Sequence, residues 1–220
     1  MSIKIKRLTE NFAAEINDVN LCEKISVRDF SDIKTAFEEY SILVFPNQPL
    51  TDEQQVAFSQ RFGDLENTIN SKQQGGAGKP VTVLTNVGKN GEVIAPEDRR
   101  MVFNTGNQMW HTDSSFKPIP AMMSLLSGRE VPPEGGETEF ASMRAAYEDL
   151  DDDQKSELEQ LICVHDFAYS RSLIDTSLLD REDKYELPPV RQAMIRKNPT
   201  NRRKNLFLGA HASYIEGWPL

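Results

Sequence analysis

The chain has 220 residues, 38% hydrophobic and 27% charged, with 34 acidic against 25 basic side chains and a net charge of −9. This balance suits a globular domain with a sizeable core and excludes wholesale disorder, while the acidic excess disfavours a nucleic-acid surface. No apolar run approaches the ~20 residues of a membrane span, and the charged N-terminus MSIKIKRLTENF has no apolar signal core, which points to the cytoplasm.

Cys22 and Cys163 form no CxxC pair, so reduced thiols are expected rather than a disulfide framework or zinc ribbon. No internal repeat or low-complexity linker interrupts the chain, which reads as one domain over 1–220. Residues 3–8 predict a short strand. Phe30, Ile33, Phe37 and Tyr40 recur at helical spacing and predict an amphipathic helix over 28–40. The apolar run SILVF at 41–45, closed by Pro46, predicts a buried strand. Thr51 and Gln54 have the spacing of a capping box, Gly63 sits where a C′ glycine would, and a helix is expected over 52–62.

SKQQGGAGKP at 71–80 is a polar loop but not a phosphate loop: Gln73 stands six before Lys79, and Pro80 follows it. Strands are expected at 81–87, 108–112, 121–127 and 138–141, with a turn at 89–91. Helices are expected at 142–149 and 151–162, and the acidic run EDLDDD between them suits a solvated helix start. A strand at 163–169, a polar loop at 175–188, and strands at 190–196 and 205–209 around the turn 198–201 complete the reading. Helices among many short strands give an α+β chain built on a β-barrel or sandwich.

The three histidines are His111, His165 and His211, so a histidine-based metal site must draw on them. His111 and Asp113 stand two apart in NQMWHTDSSF. On a strand that spacing puts imidazole and carboxylate on one face, with Trp110 and Thr112 on the other. A His and a carboxylate are two thirds of the facial triad that holds non-haem Fe(II). Trp110 and Phe116 are read as core residues, and Gly135–Gly136 as a tight turn.

The ordered motifs SILVFPNQPLTDEQQVAFSQRFGDLE, WHTD, GGETEF, HDFAYSRS and RKNLFLGAHASYIEGWP together resemble the taurine/phenoxyacetate dioxygenase (TauD/TfdA) family of Fe(II)- and 2-oxoglutarate-dependent oxygenases. The resemblance implies a double-stranded β-helix, or jelly-roll, with flanking helices. It places His111 and Asp113 as iron ligands and Thr138 on 2-oxoglutarate. It places Asn107, Arg171 and His211 at the substrate pocket, with His211 as third iron ligand the less favoured alternative.

In relatives the distal ligand histidine and the arginine that clamps 2-oxoglutarate come later than any matched segment. The resemblance therefore implies a domain incomplete at its C-terminus, lacking its last strands. The implied activity is hydroxylation of a small anionic sulfonate, aryloxyalkanoate or other carboxylate, with succinate and CO2 as co-products. The alternative is an impaired or non-catalytic, partner-binding chain. Expected partners are the small molecule and O2, with neither nucleic acid nor membrane, and homo-oligomers left open.

Overall fold

The computed structural model describes residues 2–66, 81–179 and 186–219. The expected loop 71–80 and residues 180–185 of the expected loop 175–188 lie outside these. Two units divide the chain: Met1–Leu65 with Leu125–Asp149 and Lys197–Asn205, and Glu66–Ser124 with Leu150–Arg196 and Leu206–Leu220.

In the first unit, strands β1 (Lys4–Arg7), β2 (Ala14–Asn17) and β3 (Leu43–Val44) form a sheet in that order, β1–β2 antiparallel and β2–β3 parallel. Helix α1 (Val27–Tyr40) starts where the Ser26 side chain accepts from the Asp29 N–H. Its last turn holds no basic residue. The buried Arg144 fills that role, donating to the carbonyls of Glu38 and Glu39 at 2.8 and 3.0 Å and to Ser41 Oγ. This puts a cation on the negative end of the helix and satisfies two end carbonyls.

The run 41–45 yields only a two-residue strand, with Val44 exposed. Ser41 caps α1 at φ 63°, so the ladder cannot begin there, and Pro46 has no N–H to extend it. Helix α2 (Asp52–Ser59) carries the expected Thr51–Gln54 capping box. Ile16, Leu21, Ile25, Ile33, Ala36, Leu50 and Phe58 form the core, with Phe30 and Phe62 edge-on at 4.8 Å.

The second unit contains helix α3 (Arg99–Asn104) and a 3-10 turn at Thr105–Gln108. Helix α4 (Met143–Glu148) belongs to the first unit. Helix α5 (Asp152–Leu158) opens on an Asp151–Gln154 capping box, the role expected of the acidic run. Strand β4 (Ile162–His165) ends early, because Asp166 accepts from the Ala168 N–H and starts helix α6 (Phe167–Ser172). The strand expected over 163–169 is thus a strand followed by a helix.

Strand β5 (Val190–Ala193) pairs with β4, strands β6 (Ile195–Lys197) and β7 (Lys204–Leu206) form the expected hairpin, and β8 (Ala212–Ile215) pairs with the other edge of β4. The architecture is α+β, with mostly antiparallel sheets. Among the described residues, 108–112, 121–127 and 138–141 belong to no ladder, and 81–87 contributes one bridge, Val87 to Val93. Alternation marks a segment that can be a strand; a hydrogen-bonded neighbour makes it one. No helix among the described residues is long and apolar enough to cross a membrane.

Candidate active site

His111 and Asp113 converge, but not as residues of a strand. Residues 110–112 belong to no ladder, and 113–116 form a turn with Ser114 at φ 57°. His111 Nε2 lies 3.2 Å from Asp113 Oδ1, the side chains being 26% and 58% exposed. His111 Nδ1 lies 2.7 Å from the Met109 carbonyl. A carbonyl can only accept, so Nδ1 carries the proton and donates it. In neutral imidazole that leaves a lone pair on Nε2, aimed at a carboxylate oxygen that also has only lone pairs. Two acceptors face to face need a shared cation, either a proton or a metal ion.

The hydrogen bond to Asp113 raises the His111 pKa, against the opposing effect of burial. The same bond lowers that of Asp113, also against burial. Asp113 Oδ2 accepts from Ser124 Oγ at 2.6 Å, which fixes the carboxylate plane. The donor set therefore fits two positions of a divalent iron site: one imidazole nitrogen with its tautomer set, and one oriented carboxylate oxygen. Among the described residues, no three His, Cys, Asp or Glu side chains cluster as a metal site.

His211 occupies a different environment. It is buried, with Phe116 at 4.8 Å, Phe167 at 5.8 Å and the His111 ring at 6.1 Å between centroids. Its Nδ1 lies 2.9 Å from Ser170 Oγ, whose own proton goes to the Phe167 carbonyl at 2.7 Å. His211 Nδ1 is therefore the donor, and Nε2 keeps its lone pair. Burial, with the charges of Arg171, His111 and His165, pushes its pKa down to about 3, against the pull of Asp113.

His165 is fully buried on β4 and stacked on Phe207 at 5.4 Å, with neither ring nitrogen hydrogen-bonded among the described residues. Arg171 is buried rather than at the surface, its guanidinium over the rings of Phe103 and Phe167 at 4.7 and 4.9 Å. Nη1 donates to the Phe103 carbonyl near the end of α3, and Nε is buried without a partner among the described residues.

Asn107 is exposed on the 3-10 turn of the second unit, and Thr138 is exposed on unpaired chain of the first unit. Trp110, expected in the core, is 60% exposed, while Phe116 is buried as expected. Sequence reasoning missed Ser124 and Gly209, and marked Ser170 only as part of the HDFAYSRS motif, not as the partner of His211. Ser124 lies eleven residues from its partner Asp113 and Ser170 forty-one from His211, so no local spacing marks either pair. Gln192 was also missed: its amide donates to the carbonyls of Ser115 and Lys117 at 3.0 and 2.9 Å, tying the site turn to β5.

Comparison with known proteins places the chain among dioxygenases. The family described as taurine catabolism dioxygenase TauD, TfdA matches residues 4–220. The alpha-ketoglutarate-dependent 2,4-dichlorophenoxyacetate dioxygenase of Cupriavidus pinatubonensis is 39% identical over 223 residues, covering 100% of this chain and 78% of that protein. The (S)-phenoxypropionate/alpha-ketoglutarate-dioxygenase of Sphingobium herbicidovorans is 34% identical, covering 97% of this chain and 72% of its own length. The crystal structure of AAD-2 in complex with Mn(II) and N-oxalylglycine is 41% identical with a TM-score of 0.88, covering 100% of this chain and 75% of that one.

Proposed function

This chain belongs to the TauD, TfdA family of dioxygenases, and from that premise we propose that it oxidises a small organic anion, an aryloxyalkanoate before a sulfonate or other carboxylate. It is an Fe(II)- and 2-oxoglutarate-dependent dioxygenase, with succinate and CO2 as the proposed co-products. The family and the AAD-2 likeness support a double-stranded β-helix as the parent fold. The observation that carries the site is the convergence of His111 Nε2 on Asp113 Oδ1 at 3.2 Å.

Bound iron supplies the redox chemistry with O2 and 2-oxoglutarate. His111 offers Nε2 because Met109 holds the proton on Nδ1. Asp113 offers Oδ1 because Ser124 holds Oδ2. His211, neutral and walled by Phe116 and Phe167, presents an acceptor nitrogen in an apolar setting suited to an aromatic or alkyl substrate.

Arg171 supports an anionic substrate: its buried charge meets no carboxylate among the described residues, and it is felt at both His111 and His211. Asn107 is assigned to the substrate and Thr138 to a carboxylate of 2-oxoglutarate. A second reading, an impaired or partner-binding chain, is favoured by the two-ligand set among the described residues. One assay decides between them: succinate release from 2-oxoglutarate with Fe(II), O2 and a panel of aryloxyalkanoates, sulfonates and other carboxylates. Substrate-stimulated succinate that disappears in Asp113→Ala supports the dioxygenase; no succinate above that variant's background supports the second reading.

A further inference from the structure

We infer that the three-residue bridge Gly209–His211 positions the metal pair, and that Gly209 is its critical position; the inference rests on the reading of His111 and Asp113 as metal ligands. Those two residues lie on chain that belongs to no sheet, so something other than a ladder must fix their backbone. One face of the bridge does so. The Ala210 N–H donates to the Trp110 carbonyl at 2.9 Å, immediately before His111. Gly209 packs against the ligand backbone itself. A Cβ there would stand 2.9 Å from His111 Cα and 3.3 Å from both Thr112 N and Trp110 O. All three are backbone atoms that no rotamer change can move aside. Gly209 also has φ +156°, which side chains rarely adopt.

The other face of the bridge is anchored in the regular frame. The Asp166 N–H donates to the His211 carbonyl at 2.7 Å, where β4 ends and α6 begins. The His211 ring donates to Ser170 on α6 at 2.9 Å. The Ala212 N–H closes the turn onto the Gly209 carbonyl at 2.9 Å as β8 starts. The bridge is therefore fixed on its far side and in backbone contact with the ligand segment on its near side. Adding one methyl at Gly209 displaces His111 Cα by a few tenths of an ångström or more, and imidazole and carboxylate no longer aim at one point. Supporting contacts of this kind govern metal affinity by about 10–100-fold.

The test titrates the full chain with Mn(II), following free Mn(II) by electron paramagnetic resonance, in wild type, Gly209→Ala and Asp113→Ala. Gly209→Ala is expected to keep the wild-type circular dichroism spectrum and to bind Mn(II) at least about tenfold more weakly. Linkage supplies a second measurement that needs no variant. If the bridge sets the ligand geometry, bound metal must in turn hold the bridge, so saturating Mn(II) is expected to slow hydrogen exchange at the Ala210 amide severalfold in wild type. A folded Gly209→Ala that binds Mn(II) as wild type does overturns the inference. If that variant does not fold, an Ala210 amide indifferent to Mn(II) overturns it. Wild type that binds no Mn(II), or binds it equally with Asp113→Ala, defeats the metal-pair reading and the bridge with it. Binding lost in Asp113→Ala but untouched in Gly209→Ala defeats the bridge alone.

Discussion

The rings of His111 and His211 lie 6.1 Å apart, yet their pKa values are displaced in opposite directions. His111 stands on chain without a ladder, against a carboxylate that is more than half exposed. His211 sits just ahead of β8, beneath two aromatic rings and hydrogen-bonded to α6. The same side chain meets a carboxylate in one region and an apolar, aromatic setting in the other. On the proposed reading the difference separates two duties: the frame of β4, α6 and β8 supplies the hold, and the irregular segment 109–124 carries the proposed metal ligands.

Removing a proposed ligand is expected to give the largest effect that separates these duties. Asp113→Ala is expected to weaken Mn(II) binding by at least about a hundredfold and to abolish succinate formation. Its unfolding free energy is expected to move by no more than roughly 0.5 kcal/mol, because the carboxylate is largely exposed. Urea unfolding beside the metal titration checks both, and a large loss of stability would erase the distinction.

Phe116→Ala tests the opposite duty. Phe116 belongs to the site turn, but its ring is buried against Phe167 at 4.6 Å and His211 at 4.8 Å. Truncation is expected to cost about 3–5 kcal/mol, read from urea unfolding. A loss below about 1 kcal/mol would mean that the turn is not seated on the frame.

Acid comes next in size. The His211 pKa is near 3 in the folded chain and near its ordinary 6.5 when unfolded. Below pH 6.5 the unfolded state therefore binds the proton that the folded state refuses. Stability from this group is present above pH 6.5 and is lost as pH falls towards 3. The loss between pH 6.5 and 5 is roughly 2 kcal/mol. His165, also lowered by burial, acts in the same direction. The informative quantity is thus the difference between wild type and His211→Gln, whose acid slope is expected to be shallower by that amount. Equal slopes would show that the two histidines are not in contrasting environments.

Local physics made part of this legible from sequence. Thr51–Gln54 and Asp151–Gln154 each satisfy a helix start within four residues, and α1 follows from spacing alone. The His111–Asp113 pair was legible by proximity in sequence, although a turn after Thr112, not a strand, brings the side chains together. Helix α6 was not legible, because the apolar residues of HDFAYS suit a strand until Asp166 is seen to cap a helix. Long-range contacts were the least legible. The burial of Arg171, the packing of Gly209 on His111 and the grip of Ser124 on Asp113 all depend on which distant backbone arrives there.

Ser124 gives the smallest predicted effect and the finest test of the contrast. Its hydroxyl donates to Asp113 Oδ2 at 2.6 Å and leaves Oδ1 directed at His111. In Ser124→Ala the carboxylate keeps its charge but gains freedom to rotate, so metal affinity should fall roughly tenfold while the ligand set stays intact. Stability should change by less than about 1 kcal/mol, since water can replace the hydroxyl at so exposed a carboxylate. Ser124→Thr keeps a hydroxyl and should recover most of the affinity. The same comparison in the frame is Ser170→Ala, which takes the acceptor from the buried His211 Nδ1–H. There water cannot easily substitute, and the expected loss is about 1–3 kcal/mol of stability. If Ser124→Ala loses stability and Ser170→Ala loses only metal affinity, the division of duties between loop and frame is reversed.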